Sequence, residues 1–395
     1  MKQIINGLGI HSAISPHGVV QITGTNGKGL CARQVEADLI ASGRDVITLI
    51  SPHMTTFRER VRLNGCPISR EMLGDIVESI ANGLDSLRVR EIPPTPVEIA
   101  FLVALRLRIN RGLETCLVIE AGCGGATDYT NVFNRTIVGL TRIGRDHLDL
   151  FQDLIALTRE KVGLSNSGGI LVSVNQLTEV KDVIKRECES RNIKIEWLVI
   201  HPDPNLSPHM QAWRENQALA NRLSQLVVTQ NWKLGNVDRR DPWRFETRQI
   251  GGRSFILDGS HNPDAIQLLL NSLRTLHLSG WTGIFGIQVR KLYVEVVELV
   301  LRSGIFKKLI LVQGCRGDFV SPKRLSQLID VPFFCANSMR NAIAHCLTTG
   351  DDNIVVFGSF SLAYDFERAL HELGLGNAAI PADDIDPHQP WMKSL

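Results

Sequence analysis

The sequence is poor in several features that would have pointed elsewhere. Its eight cysteines, at 31, 66, 116, 123, 188, 315, 335 and 346, form no C-x-x-C pair in a chain of 395 residues. That scatter argues against both a zinc knuckle and a disulfide framework, so most read as reduced core thiols. Cys123, inside a glycine-rich turn, is the one whose reactivity merits a test. No apolar run approaches the about 20 residues of a membrane span, and the N-terminus lacks the basic, apolar, small-residue succession of a signal peptide. The chain is read as cytoplasmic, with no membrane partner. Neither sign of charge dominates: 43 Lys and Arg stand against 41 Asp and Glu, a net charge of +2. Nucleic acid is therefore not an expected partner. Repeats and low-complexity tracts are also absent.

What remains is an ordinary globular composition, 44% apolar and 21% charged. A chain this long exceeds the size at which one core stops growing, so two domains are expected.

Val19-Val20-Gln21-Ile22-Thr23 runs into Gly24-Thr25-Asn26-Gly27-Lys28-Gly29 and then into apolar residues at helical spacing, Leu30, Val35, Leu39 and Ile40. That pattern predicts strand, loop and helix. Glycines let backbone N–H groups and the helix start converge on phosphate, and Lys28 adds a mobile charge. The loop is shorter than G-x-x-x-x-G-K-[ST], and Gly29 replaces the metal-binding hydroxyl. A metal ligand must come from elsewhere.

Strand-like runs alternate with helical patterns at 18–23, 45–50, 116–120, 136–141, 169–174 and 195–200, then at 254–258, 282–287, 308–313 and 354–357. Alternation of this kind implies parallel α/β sheets. The polar, tryptophan-bearing stretch at 230–250 is the candidate junction, and the Pro- and Asp-rich residues from Ala379 read as a tail. Parallel sheets bind ligands beyond their strands' carboxyl ends. Ser51 there could supply the missing hydroxyl or make an ST-turn into Pro52. Glu120 resembles a magnesium-binding Walker B carboxylate, followed by Gly122-Cys123-Gly124-Gly125. His147 is a metal ligand or a capping residue. Asp258, opening Asp258-Gly259-Ser260-His261-Asn262-Pro263, takes a ribose hydroxyl or caps the next helix.

Together the stretches G-T-N-G-K-G, S-P-H-M-x-x-F-R-E-R-V-R-L-N-G, T-P-V-E, I-E-A-G-C-G-G-A-T-D-Y-T-N, I-G-R-D-H, R-E-K-V-G, D-G-S-H-N-P-D-A and V-F-G-S-F resemble the folylpolyglutamate synthase and dihydrofolate synthase family of Mur-type ligases. The resemblance runs from about residue 18 to 362. It implies an α/β, P-loop ATPase-type domain with a parallel sheet over 1–243 and a smaller Rossmann-like domain over 244–395. It implies an ATP-dependent amide ligase that activates a carboxylate as an acyl phosphate and joins it to glutamate.

By position, Thr25, Asn26, Gly27, Lys28 and Gly29 match the ATP loop, and Asn216, Arg244 and Asp258 match other nucleotide contacts. Ser51, Glu120 and His147 match magnesium ligands, while Lys161 matches a lysine carried N-carboxylated beside a second magnesium ion. Thr95, Glu98, Thr127, Asp128 and Tyr129 fall where the pterin or folate acid is held. Lys28, Lys161 and His261 are the implied catalytic groups, and the implied protein is a monomer. Departures are Leu30 after the loop, where a hydroxyl would cap the helix or touch phosphate; Ala126 for an arginine; Trp243 for a glycine; and Arg290-Lys291-Leu292 for a lysine between aspartates. The chain also begins almost at its first strand, with little of the usual N-terminal helix. The alternatives are a Mur-type ligase for a non-folate acid or another amine, and a non-catalytic ATP-binding paralogue.

Overall fold

The computed structural model describes residues 1–86, 94–147, 149–236, 242–278 and 280–376. The expected tail from Ala379, and Asp238 to Asp241 of the junction, lie outside them. The chain opens with α1 (Lys2–Gly7), so a short helix does precede the first strand. It continues through β1 (Val19–Thr23), α2 (Lys28–Ala41), β2 (Val46–Leu49), β3 (Val61–Leu63), β4 (Cys66–Pro67), α3 (Arg70–Ser86), α4 (Pro96–Arg111) and β5 (Cys116–Glu120). Then follow β6 (Ile137–Leu140), α5 (Leu154–Val162), β7 (Ile170–Ser173), α6 (Thr178–Ser190), β8 (Lys194–Trp197) and α7 (Pro208–Val227).

These strands make one sheet of order β4-β3-β2-β5-β1-β6-β7-β8, parallel from β2 to β8 with an antiparallel hairpin at the β3–β4 edge. Side chains alternate between its faces as strand geometry requires. Val19, Ile47 and Leu117 face the core under α1, α3 and α4, whereas Val20, Ile22 and Val118 face the core under α2 and α7. β1, with the loop at its tip, is therefore central and covered on both sides.

A second sheet, β13-β12-β11-β14-β10-β9, is parallel except for the edge strand β9. It is built from β9 (Glu246–Ile250), β10 (Arg253–Leu257), α8 (Pro263–Thr275), β11 (Trp281–Phe285), α9 (Tyr293–Arg302), β12 (Phe306–Leu311), α10 (Pro322–Ser326), β13 (Phe333–Cys335), α11 (Met339–Thr349), β14 (Asn353–Phe357) and α12 (Leu362–Glu372). Helices α8 to α10 cover one face and α11 and α12 the other.

Two polar devices organise the first unit. Arg108, fully buried, donates to five carbonyl oxygens, those of Ala13, Ser15, His17, Leu113 and Thr115. It ties the segment before β1 to the end of α4. Asp38, on α2, accepts from Gln34 Nε2 at 2.7 Å, Gly235 N at 2.9 Å and Ser224 Oγ at 2.8 Å. Trp232 Nε1 donates to the same serine, and Ser42 Oγ accepts from Lys233 N. The chain leaving α7 is thus strapped along α2, so closely that a Cβ on Gly235 would lie 2.1 Å from the Ala37 carbonyl carbon.

Candidate active site

Gly24 and Gly27 adopt φ of +134° and +91°, values that side chains resist. A Cβ would lie 2.0 Å from Thr141 Oγ1 at Gly24 and 2.4 Å from Asn216 Nδ2 at Gly27, so the loop needs both glycines to nestle between β6 and α7. Asn216 therefore lies against the loop. Helix α2 starts at Lys28 with Gly27 as its N-cap and no side-chain cap, which leaves its first N–H groups for an anion. Leu30 is the third residue of the helix and buried, so the expected loss of a cap at Leu30 is corrected: the cap position is Gly27. Lys28 Nζ donates to the Gly24 and Thr25 carbonyls, both at 3.1 Å. The Thr25 hydroxyl exchanges hydrogen bonds with the Gly144 backbone, and Asn26 reaches across to the second unit.

Glu120, 4% exposed, ends β5 beside the loop. Its Oε2 accepts the Ser51 N–H at 2.8 Å. Burial pushes its carboxyl above the usual range, against the opposing pull of Lys28, the Ser51 N–H, Arg244 and Arg60. A Cβ on Gly29 would lie 3.2 Å from Glu120 Oε2, so the missing side chain leaves room beside that carboxylate. The Ser51 hydroxyl accepts from Arg60 Nη1 at 2.9 Å.

A crevice lined by Gly24, Thr25, Lys28, Cys123, Asp146, His147 and Lys161 adjoins the loop. Lys161 is 2% exposed and donates to the Cys123 carbonyl at 3.1 Å. Burial first, then repulsion from Lys28, brings its ammonium down to about 7. His147 has φ +54°. Burial brings its imidazole down to about 4, with Lys291 and Lys28 adding to the effect against Asp146, so at neutral pH it carries a lone pair suited to a metal.

Asp146 is the group that residue-by-residue reading missed. Lys291 Nζ lies 2.8 and 3.1 Å from its two oxygens, Asn262 Nδ2 lies 3.2 Å away, and the Nε2 atoms of His147 and His261 each stand at 3.7 Å. Burial acts to raise its carboxyl, but His261, Lys291 and His147 outweigh burial and hold it well below the usual carboxylate range. Asn262 and Asn26 also exchange amide hydrogen bonds at 3.1 and 3.3 Å. The 24–29 loop, the 144–147 turn and the start of α8 therefore form one network joining both units. Its only sequence signal was the presence of Asp146 and Asn262 inside quoted motifs.

In the second unit Asp258 Oδ2 accepts Phe245 N at 2.8 Å, and Oδ1 accepts from Ser260 N and Oγ. It does not cap α8; Asn262 does, accepting Ala265 N at 2.9 Å. His261 Nδ1 lies 2.7 Å from the Gly259 carbonyl, and its ring meets Phe360 edge-on. The Arg244 guanidinium stacks over the same Phe360 at 4.3 Å. Trp243 is 1% exposed in the second unit's core at φ +60°, a left-handed conformation that glycine adopts more readily than tryptophan.

The acceptor-side residues are more dispersed. Thr95, exposed, and Glu98, half-buried, form the capping box of α4, with Thr95 Oγ1 donating to Glu98 Oε2 at 2.7 Å. Thr127 Oγ1 donates to Glu160 Oε1 at 2.7 Å, and Glu160 also takes the Gly125 N–H. Asp128 accepts from Thr130 N and Oγ1 in a tight turn. Tyr129 packs edge-on to Phe101 at 5.7 Å, and burial raises its phenol.

Among the described residues no three or more His, Cys, Asp or Glu side chains form a ready metal cage. Magnesium needs less: it typically keeps one or two carboxylates, with phosphate oxygens completing its shell. Glu120, with the space left at Gly29 and the Ser51 backbone alongside, fits that requirement.

Residues 243–360 match the family model described as Mur ligase, glutamate ligase domain. The folylpolyglutamate synthase of Lacticaseibacillus casei is 26% identical over 390 residues, 89% of each chain. The folylpolyglutamate synthase of Mycobacterium tuberculosis, solved with ADP and AMPPCP, superposes with a TM-score of 0.80 at 19% identity, covering 97% of this chain and 95% of that one. The bifunctional folylpolyglutamate synthase/dihydrofolate synthase of Yersinia pestis, solved with AMPPNP and Mn ion, gives 0.75 at 24% identity, covering 94% and 92%. The solved structures establish the fold: over nearly its whole length this chain is similar to folylpolyglutamate synthases and dihydrofolate synthases, and its residues 243–360 match the glutamate ligase domain of the Mur ligases.

Proposed function

We propose that this chain is an ATP-dependent ligase that activates the carboxylate of a pterin- or folate-type acid and joins it to glutamate. The observation that carries this reading is the meeting, on one uncapped helix start, of Lys28, the buried Glu120 and a network supplied by the second unit. A carboxylate does not accept an amine unactivated. Transfer of the γ-phosphoryl group of ATP to a carboxylate oxygen makes an acyl phosphate and ADP. The amine then adds to the acyl carbon, and collapse of the tetrahedral species expels phosphate and leaves the amide.

The protein's task is alignment and charge neutralisation. The loop N–H groups and Lys28 take the phosphates, Arg244 approaches from the second unit, and Asn216 and Asp258 take the adenosine side. Asp258 already accepts three donors, so it acts mainly by shaping the Phe245 and Ser260 backbone around the nucleotide. Magnesium held by Ser51, Glu120 and His147, with a second ion beside an N-carboxylated Lys161, would supply charge neutralisation on the transferring phosphoryl group. His261 orients the incoming amine. The acid lies along Thr127, Asp128 and Tyr129, with Thr95 and Glu98 fixing the α4 start. We place the two functional units at 1–243 and 244–395; the ring of Trp243, at the boundary, packs into the second unit's core. We expect a monomer.

The test is ADP and phosphate release by the purified protein against a panel of pterin acids and unrelated carboxylates, each with and without glutamate. Release that needs both a pterin acid and glutamate is expected. Turnover confined to unrelated acids would overturn the folate assignment, and no turnover with any acid would overturn the ligase.

A further inference from the structure

The segment between β2 and β3 is gripped from both units. From below, Glu59 accepts the backbone N–H groups of Met54, Thr55 and Thr56 at 2.8, 3.1 and 2.9 Å, together with the Thr55 hydroxyl at 2.5 Å. Arg60, 9% exposed, donates Nη1 to Ser51 Oγ at 2.9 Å and Nε to His53 Nδ1 at 2.8 Å. The front of the segment, the Ser51 N–H, meets Glu120. From above, Met54 packs against the second unit's core cluster, which contains Trp243, Phe319 and Phe360. Arg316 donates Nη1 to the Thr55 carbonyl at 3.2 Å while its guanidinium lies 3.6 Å from the centre of the Tyr364 ring. A short segment pinned this densely cannot shift at Met54 and Thr55 without shifting at Ser51.

We propose that Met54 and Arg316 are positioning residues: the docking of the second unit on residues 51–56 sets Ser51, and through its N–H sets Glu120, so the metal side of the nucleotide site depends on that contact. This rests on the reading of Ser51 and Glu120 as metal ligands. Phosphate binding by the loop itself does not pass through this segment, because Lys28 and the α2 N–H groups are held by β1, β6 and α7. The two contributions are therefore separable.

The experiment is calorimetric binding of a non-hydrolysable ATP analogue to the full chain, with and without Mg²⁺, for the wild type, Arg316→Met and Met54→Ala. Binding without metal is expected to stay within about twofold, because the loop is untouched. The gain in affinity on adding Mg²⁺ should shrink by about fivefold in Arg316→Met, the value of one lost hydrogen bond, and should shrink in Met54→Ala through the lost apolar contact. Arg316→Lys, which keeps a donor and loses the planar stack on Tyr364, should fall between. Equal weakening with and without metal, or no weakening, overturns the proposal. A wild-type affinity indifferent to Mg²⁺ overturns it along with the ligand assignment. A wild type that binds Mg²⁺ and nucleotide yet turns over no acid sinks only the ligase reading and leaves this coupling measurable.

Discussion

Lys161 offers the sharpest test of the buried charges around the loop. Its ammonium, normally near 10.5, is brought down to about 7 by burial and by Lys28. Below pH 7 both folded and unfolded chains carry the proton, and the folded one bears the full burial cost. The displacement corresponds to about 5 kcal/mol. Between pH 7 and 10.5 the folded chain has released the proton while the unfolded chain still holds it. Stability gained from this group therefore rises with pH across that window and levels off above it. Lys161→Met keeps the volume and removes the titration. At pH 6 it relieves about 5 kcal/mol but forfeits the bond to the Cys123 carbonyl, about 2 kcal/mol for a charged donor, so the variant should be about 3 kcal/mol more stable. At pH 10.5 that advantage should have vanished. The assay is urea unfolding followed by circular dichroism at pH 6, 8 and 10.5 in CO₂-free buffer, because N-carboxylation would replace the ammonium. Parallel stability curves for variant and wild type across the window would refute the reasoning. The same variant should lose ligase turnover, so stability and activity move in opposite directions.

Glu120→Ala should abolish ADP release while leaving metal-free nucleotide binding nearly intact; near-normal turnover in a steady-state assay would remove Glu120 from the site. Lys161→Ala turnover should recover in part on addition of short carboxylates if a carbamate is present, and rescue titrations with acetate or formate read this directly. Arg108→Met strands the five carbonyls that Arg108 serves, and Arg108→Lys can reach only some of them; each should cost about 3 to 5 kcal/mol in denaturant unfolding. Trp243→Gly relieves a left-handed backbone worth about 1 to 2 kcal/mol but empties a core site worth about 3 to 5, so thermal unfolding should show a net loss.

The central strands were legible because each is a buried apolar run, and the expected segments agree with β1, β2, β5, β6, β7, β10, β11, β12 and β14 to within about two residues. The final expected strand of the first unit overran, since β8 stops at Trp197. Of the edge strands only β8 was legible, and β3, one place in from an edge, was missed. β4 and β13 are short and largely exposed, and β9 alternates exposed with half-buried residues inside the polar stretch taken for a junction. Such strands are held by their neighbours' backbones, which leaves no apolar signature. In the site, the loop and Glu120 announced themselves as strand endings. Asp146 and Lys291 did not, because their pairing spans 145 positions and depends on how two units meet. Thr95 and Glu98 show the reverse: their spacing is that of a capping box, and that is the geometry they adopt.

The strap that Asp38 and Gln34 make with Gly235 anchors the chain leading to the second unit on α2 itself, the helix that starts at the glycine loop. Any tilt of α2 as a triphosphate enters would be carried along the same rod to the tether of the second unit. A side chain at Gly235 would prise that tether away from Ala37, lengthening the leash without touching a ligand.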